Sequence, residues 1–157
     1  MLIGWTTLLL YLIFKKQKVL IDRKSALKFL GNGILIALHW YCFFEAIVRS
    51  NVSIALVFLS TTALFTSFVE PLITEKKFNP KELITSVLVV IGIIVIMNDL
   101  NFSENETYLS AIVFSLLAAL LAALFSVYNS VFVKEHHSGV ISLYELFGGF
   151  VFISLLF

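Results

Sequence analysis

Most side chains in this protein can neither move a proton nor hold a polar solute, so the few that can stand out. His39, Glu45, Glu70 and Glu145 each interrupt or border an otherwise uncharged apolar stretch. An ionisable group in such a setting is costly unless it is partnered or used, which makes each a candidate for function. The imidazole of His39 can titrate near neutral pH or exchange a hydrogen bond with a solute; it can equally be a buried ring tied to the carbonyl of a neighbouring helix. Glu45 and Arg49 have the i,i+4 spacing of an ion pair, on a helix face that also carries Tyr41. Glu70 shares a face with Thr62 and Thr66 through successive spacings of four. Pro71 beside it removes a backbone donor and so frees a carbonyl. Glu145 lies only a few residues inside the last apolar segment and reads as interfacial.

Hydroxyls and amides add a second set. Ser60-Thr61-Thr62 falls in the middle of an apolar segment, where hydroxyls either meet a solute or bond back to their own helix. Ser115, Ala118, Ala122, Ser126 and Asn129 recur at helical spacing, a small-residue stripe suited to close helix packing. Asn129 is the member of that stripe able to reach a ligand. Trp40 belongs to an aromatic cluster with Tyr41, Phe43 and Phe44 that suits a cavity wall or an interface belt. His136-His137 does not read as a metal site, because adjacent helical residues diverge and no Cys or Asp pattern accompanies them. Cys42, the single cysteine, cannot form an internal disulfide. No G-x-S-x-G, H-E-x-x-H or P-loop pattern occurs, so no enzyme motif, no ATP motor and no cofactor is indicated.

The elements that must position these groups are membrane helices. With 60% hydrophobic and only 13% charged residues, and a mean hydropathy of +1.01, the chain departs from the roughly 25% charge of soluble domains. That disfavours a soluble enzyme or a nucleic-acid binder and points to an all-α polytopic membrane protein in a lipid bilayer. Six apolar segments are legible: 1–14, 29–44 extending to 48, 52–69, 83–98, 108–133 and 140–157. A span needs roughly 20 residues. The fourth segment reaches that length because Asn79-Pro80-Lys81-Glu82 reads as an N-cap, a proline at N1 and a glutamate at N3. The first covers only about 21 Å as a helix, and the last ends within an apolar run, so the chain reads as a fragment of a longer protein.

Charge placement orients the segments. Lys15, Lys16, Lys18, Arg23, Lys24 and Lys28, then Lys76, Lys77 and Lys81, then Lys134 lie in alternate connections. They are ten of the eleven basic residues, Arg49 being the exception. The positive-inside rule makes those connections cytoplasmic and both ends of the chain external. The opposite connection, 98–107, is acidic and holds two glycosylation patterns at Asn101 and Asn105, which carry no meaning in a bacterial plasma membrane.

The stretch from Gly31 to Met97 resembles the first repeat of the EamA-type transporters of the drug/metabolite transporter superfamily. The likeness rests on the helix from Gly33 through His39 and Trp40 to Arg49, followed by Ser50-Asn51-Val52-Ser53. It continues with Ser60-Thr61-Thr62 and the closing Glu70-Pro71-Leu72, with Glu75 soon after, then a helix with Gly92 in the place of the family's second glycine. Thr85 or Ser86 replaces the first glycine. From Tyr108 onward the chain is similar to the start of a second repeat. The resemblance implies ten helices in two inverted repeats of five, of which this chain covers the second to the seventh. Residues 1–98 would form the first repeat without its first helix, and 108–157 the start of the second.

That family implies a secondary transporter that moves small metabolites or drug-like solutes by alternating access. Its pathway candidates here are His39, Trp40, Ser60, Thr61, Thr62, Thr66, Glu70 and Asn129. Pro71, Gly92, Glu45 and Arg49 serve structure and topology, and proton coupling through His39 or Glu70 is one possibility. An intramembrane transferase-type enzyme and a non-transporting structural subunit are the alternatives. Association as a homodimer is a further expectation.

Overall fold

The computed structural model describes residues 2–99 and 106–156, which are helical apart from turns and connections. The elements are α1 (Leu2–Phe14), α2 (Arg23–Arg49), α3 (Val52–Leu59), α4 (Thr62–Thr74), α5 (Pro80–Asp99), α6 (Glu106–Phe132) and α7 (Ser138–Leu156). This is an all-α polytopic membrane protein. Among the described residues four stretches are long and apolar enough to cross a bilayer: 23–49, 52–74, 107–132 and 138–156. The connection carrying Asn101 and Asn105, and with it Glu104, lies outside the described residues.

Helix starts follow local chemistry. The Asp22 carboxylate accepts the Ser25 amide at 2.9 Å, so α2 begins at Arg23 and takes in a basic first turn that hydropathy alone leaves out. That amide bond holds the Asp22 carboxyl below its usual range. At α5 the anticipated cap is formed: Asn79 Oδ1 accepts the Lys81 amide at 3.1 Å, and its Nδ2 donates to Glu82 Oε1 at 2.7 Å. His137 accepts the Gly139 amide on Nδ1 at 3.1 Å at the start of α7. The third apolar segment differs from expectation in two ways. It runs to Thr74, passing through Pro71 and closing on Glu75 in the left-handed conformation, φ 56°. It is also interrupted after Leu59, so one span is built from α3 and α4.

The chain forms two compact units, 1–37 with 128–157, and 38–127. In the first, α1 packs on α7, with Trp5 and Phe147 ring centroids 5.6 Å apart. Leu12, Phe29, Val140, Ile141 and Leu143 are buried there. The tightest approach joins α2 and α7. A Cβ on Gly33 would run into the backbone of Glu145, and one on Gly148 into the backbone of Leu30. Two helices can come this close only where a glycine on one leaves room for the backbone of the other.

The second unit has its apolar centre at Ile54, Phe58 and Ile93, with Val57, Val89, Tyr108, Ile112 and Leu116 around them. Here α4 packs on α5, and Ser86 Oγ reaches the Ala63 carbonyl at 3.2 Å. Along α6, Ala111, Ser115, Ala118, Ala119, Ala122 and Ala123 are buried, whereas Ser126 is exposed, so the packing stripe is shorter than its spacing suggests. A Cβ on Gly92 would meet nothing within 4 Å.

Gly33→Ala and Gly148→Ala each force a backbone shift that no side-chain rotation relieves, and each is expected to cost about 1–3 kcal/mol. Thermal unfolding of the detergent-solubilised protein should show both midpoints falling. Gly92→Ala, in open space, should leave the midpoint unchanged or slightly higher.

Candidate functional site

The break between α3 and α4 is made by its own hydroxyls. Ser60 Oγ donates to the Val57 carbonyl at 2.6 Å, Thr61 Oγ1 to Phe58 at 2.7 Å and Thr62 Oγ1 to Leu59 at 2.6 Å. Each reaches back three residues and competes with the regular backbone ladder. The backbone tightens accordingly: the Thr61 amide bonds the Phe58 carbonyl at 3.1 Å and the Ala63 amide the Ser60 carbonyl at 3.4 Å, both three residues back. The hydroxyl donors are thus used internally, while their oxygens keep lone pairs that can accept from a solute.

Below the break, Thr62, Thr66 and Glu70 line one open groove of about 530 Å³ together with Ser67, Glu82, Thr85 and Ser86. The shared face expected from the spacing of four is therefore present. Thr66 Oγ1 donates to the Thr62 carbonyl at 2.8 Å and Thr74 Oγ1 to that of Glu70 at 2.7 Å. Glu70 itself is gripped by Lys76 from the following connection, and that contact raises the Lys76 ammonium above its ordinary range. The groove is lined by hydroxyls and two carboxylates, one of which, Glu70, is paired with Lys76.

His39 lies in a different cluster of the same unit. Its Nδ1–H donates to the Ala118 carbonyl on α6 at 2.8 Å. The ring is 7% exposed. Trp40 and Phe125 meet it edge-on at 5.3 and 5.5 Å, and Phe43 lies parallel at 6.3 Å. Trp40 is exposed and stacks on Phe44 at 5.7 Å. Toward the end of α2, Arg49 Nε pairs with Glu45 Oε2 at 3.0 Å, and the guanidinium sits 4.6 Å over the Phe114 ring. Tyr41 meets that same ring edge-on at 6.5 Å, so the pair is anchored between α2 and α6.

Asn129 belongs to the other unit, beside Glu145. Glu145, which its depth along the segment places near the helix end, is 6% exposed and enclosed by protein. Asn32 Nδ2 donates to its Oε1 at 2.7 Å, and Asn129 adds a second side-chain hydrogen bond. Position along the helix axis suggested the surface; the close crossing at Gly33 instead turns the carboxyl into the protein. Asn32 carried no sequence signal beyond being an amide flanked by Gly31 and Gly33, which is the signal that would have found it.

The sequence profile of the EamA-like transporter family matches residues 1–98. The chain belongs to the EamA-like transporter family. It is also similar to the pseudopaline exporter CntI of Pseudomonas aeruginosa, in two strains. The identity is 26% over 140 residues, covering 89% of this chain and 48% of the relative. The chain therefore spans about half the length of the curated relatives it matches. No solved structure matches it. In this EamA-family chain the candidate residues fall into three places: the hydroxyl-lined groove of Thr62, Thr66 and Glu70, the aromatic nest of His39 and Trp40, and the amide–carboxyl cluster that includes Asn129.

His39→Phe keeps the aromatic packing and removes the bond to Ala118. Interhelical hydrogen bonds of this kind contribute of order 1 kcal/mol, so a small drop in unfolding midpoint is expected with helix content unchanged, measured by circular dichroism in detergent.

Proposed function

We propose that this chain supplies part of a secondary transporter that moves a small metabolite or drug-like solute across the membrane by alternating access. The family match over residues 1–98 carries this reading. The likeness to a pseudopaline exporter supports export as the direction. In this proposal residues 1–98 belong to one inverted repeat and 108–157 to the next. Within the second unit the solute path is lined by His39, Trp40, Ser60, Thr61, Thr62, Thr66 and Glu70.

Several features suit that role. A span interrupted near its middle by three consecutive hydroxyls is a feature on which solute sites of secondary transporters are built. Hydroxyl oxygens with spare lone pairs accept from ammonium, amide or hydroxyl donors. The aromatic surface of Trp40 and Phe44 accommodates apolar parts of a solute. The placement of ten of eleven basic residues in alternate connections or the first turns of the helices that follow them favours a bacterial plasma membrane orientation with the Lys-rich connections cytoplasmic.

Two experiments test this. The protein is produced in a bacterial host that synthesises pseudopaline and lacks an exporter, alongside a panel of labelled small metabolites. A several-fold fall in cell content of pseudopaline or of one panel member is expected, and unchanged content of all of them counts against the proposal. For orientation, Cys42, which is buried and free, is replaced by serine. Lys77→Cys should then be shielded from a membrane-impermeant maleimide in intact cells and Asn105→Cys labelled. The reverse pattern overturns the orientation.

A further inference from the structure

Of the acidic side chains Glu45, Glu70 and Glu145, two have cations. Glu45 has Arg49 and Glu70 has Lys76. Glu145 has none: its described side-chain partners are the amides of Asn32 and Asn129. A buried carboxylate without a counter-ion is costly in an apolar surrounding and is relieved by taking up a proton.

The surroundings have been built to allow both forms. With Glu145 ionised, both amides donate to it, as observed. With Glu145 protonated, its new O–H needs an acceptor, and the Oδ1 of Asn129 is buried with no hydrogen-bond partner. A half-turn of the Asn129 amide exchanges its NH2 for that oxygen. Asn32 meanwhile keeps donating to the other carboxyl oxygen. The carboxyl therefore keeps two side-chain partners in each protonation state.

The site also has a nearby water-facing source. One turn from Asn32 and Asn129, Phe29 and Phe132 meet at a tilt with centroids 4.8 Å apart. Beyond them, His136 meets Phe29 edge-on at 5.1 Å. His136 lines an open polar pocket of about 590 Å³ with Gln17, Lys18, Asp22, Glu135 and His137. Phe29, 1% exposed, is thus an apolar layer between this pocket and the carboxyl.

The titratable groups on the elements around Glu145 do not neutralise it. Tyr144 on α7 donates its hydroxyl to the Val19 carbonyl at 3.3 Å. Helix α1 carries no charged residue. Lys24 and Lys28 of α2 are exposed, as is Tyr128 of α6. His136 reaches the aromatic layer, not the carboxyl.

We propose that Glu145, held between Asn32 and Asn129, is a proton-binding site, with the Asn129 amide turning over as the proton arrives or leaves. Binding forms one O–H bond on a carboxyl oxygen with a proton from water in the polar pocket; release returns it, and no electron moves. Its use in coupling solute movement to a proton gradient rests on the transporter reading above. Asn129 and Asn32 act as positioning residues.

The test is infrared spectroscopy of the whole protein in lipid vesicles, titrated from mildly acidic to mildly alkaline pH. The expected result is a carbonyl band of a buried, protonated carboxylic acid that disappears as pH rises and is missing in Glu145→Gln. Asn129→Leu should retain the band and move it to higher frequency, because the acid O–H has lost its acceptor; this assigns the band even if Glu145→Gln does not fold. Absence of any such band throughout the titration overturns the proposal, as does a band that Asn129→Leu leaves in place. A response to sodium with no protonated acid also overturns it, replacing the proton with a metal cation. Solute flux in the same vesicles without the band sinks the proton site alone, whereas the band without flux of any solute sinks the transporter reading and leaves the proton site standing.

Discussion

A polar group placed among apolar helices must find its partner inside the protein, because lipid offers none, and nearly every local feature of this chain follows from that constraint. Thr6 and Thr7 return their hydroxyls to carbonyls of the preceding turn. Ser67 and Ser115 do the same in α4 and α6. Where three such residues come in succession, as at Ser60-Thr61-Thr62, the local bonds outcompete the regular ladder and the span tightens into a break. Where a single polar side chain is too large or too far from its own carbonyls, it must cross to another helix, as His39 does to Ala118. Local satisfaction bends helices, and non-local satisfaction joins them.

The second of these outcomes depends on how near the helices come. The missing side chains at Gly33 and Gly148 set the α2–α7 distance, and only at that distance does the Asn32 amide reach Glu145. Packing and polar chemistry are therefore one device here. Separating the helices by a methyl group would lengthen the hydrogen bond as well as loosen the contact. The apolar layer of Phe29 and Phe132 next to the carboxyl follows from the same geometry, since each lies one turn from the amide on its own helix.

How much of this was legible varies with the range of the interaction. The start of α5 was readable in full, because Asn79, Pro80 and Glu82 act on one another within a single turn. The face shared by Thr62, Thr66 and Glu70 was readable from helical periodicity. The start of α2 at Arg23 was missed because an apolar count gives no weight to Asp22, which works through one backbone amide. The interruption after Leu59 was missed for a related reason: the hydroxyl run was seen as a set of ligands or back-bonded groups, and not as a competitor strong enough to tighten the backbone. The partners of Glu145 were not legible because sequence reports depth along a helix but not which neighbour its side chain faces. That neighbour is 113 positions away, and no periodic pattern spans such a separation.

The contrast among the three glutamates then becomes a matter of what each could have been given instead. Glu45 lies four residues from Arg49, and Glu70 six from Lys76, so both are answered by a cation supplied from their own stretch of chain. Both lie where helix ends let long basic side chains arrive. Glu145 sits deeper within its unit, against a backbone crossing that leaves little room for a lysine or arginine stem. A neutral amide is the polar partner small enough to fit. An amide can serve as donor or acceptor by turning over, whereas a cation can only hold a carboxylate ionised. The close crossing therefore restricts the partners of this carboxyl to the kind that tolerates a change in its charge.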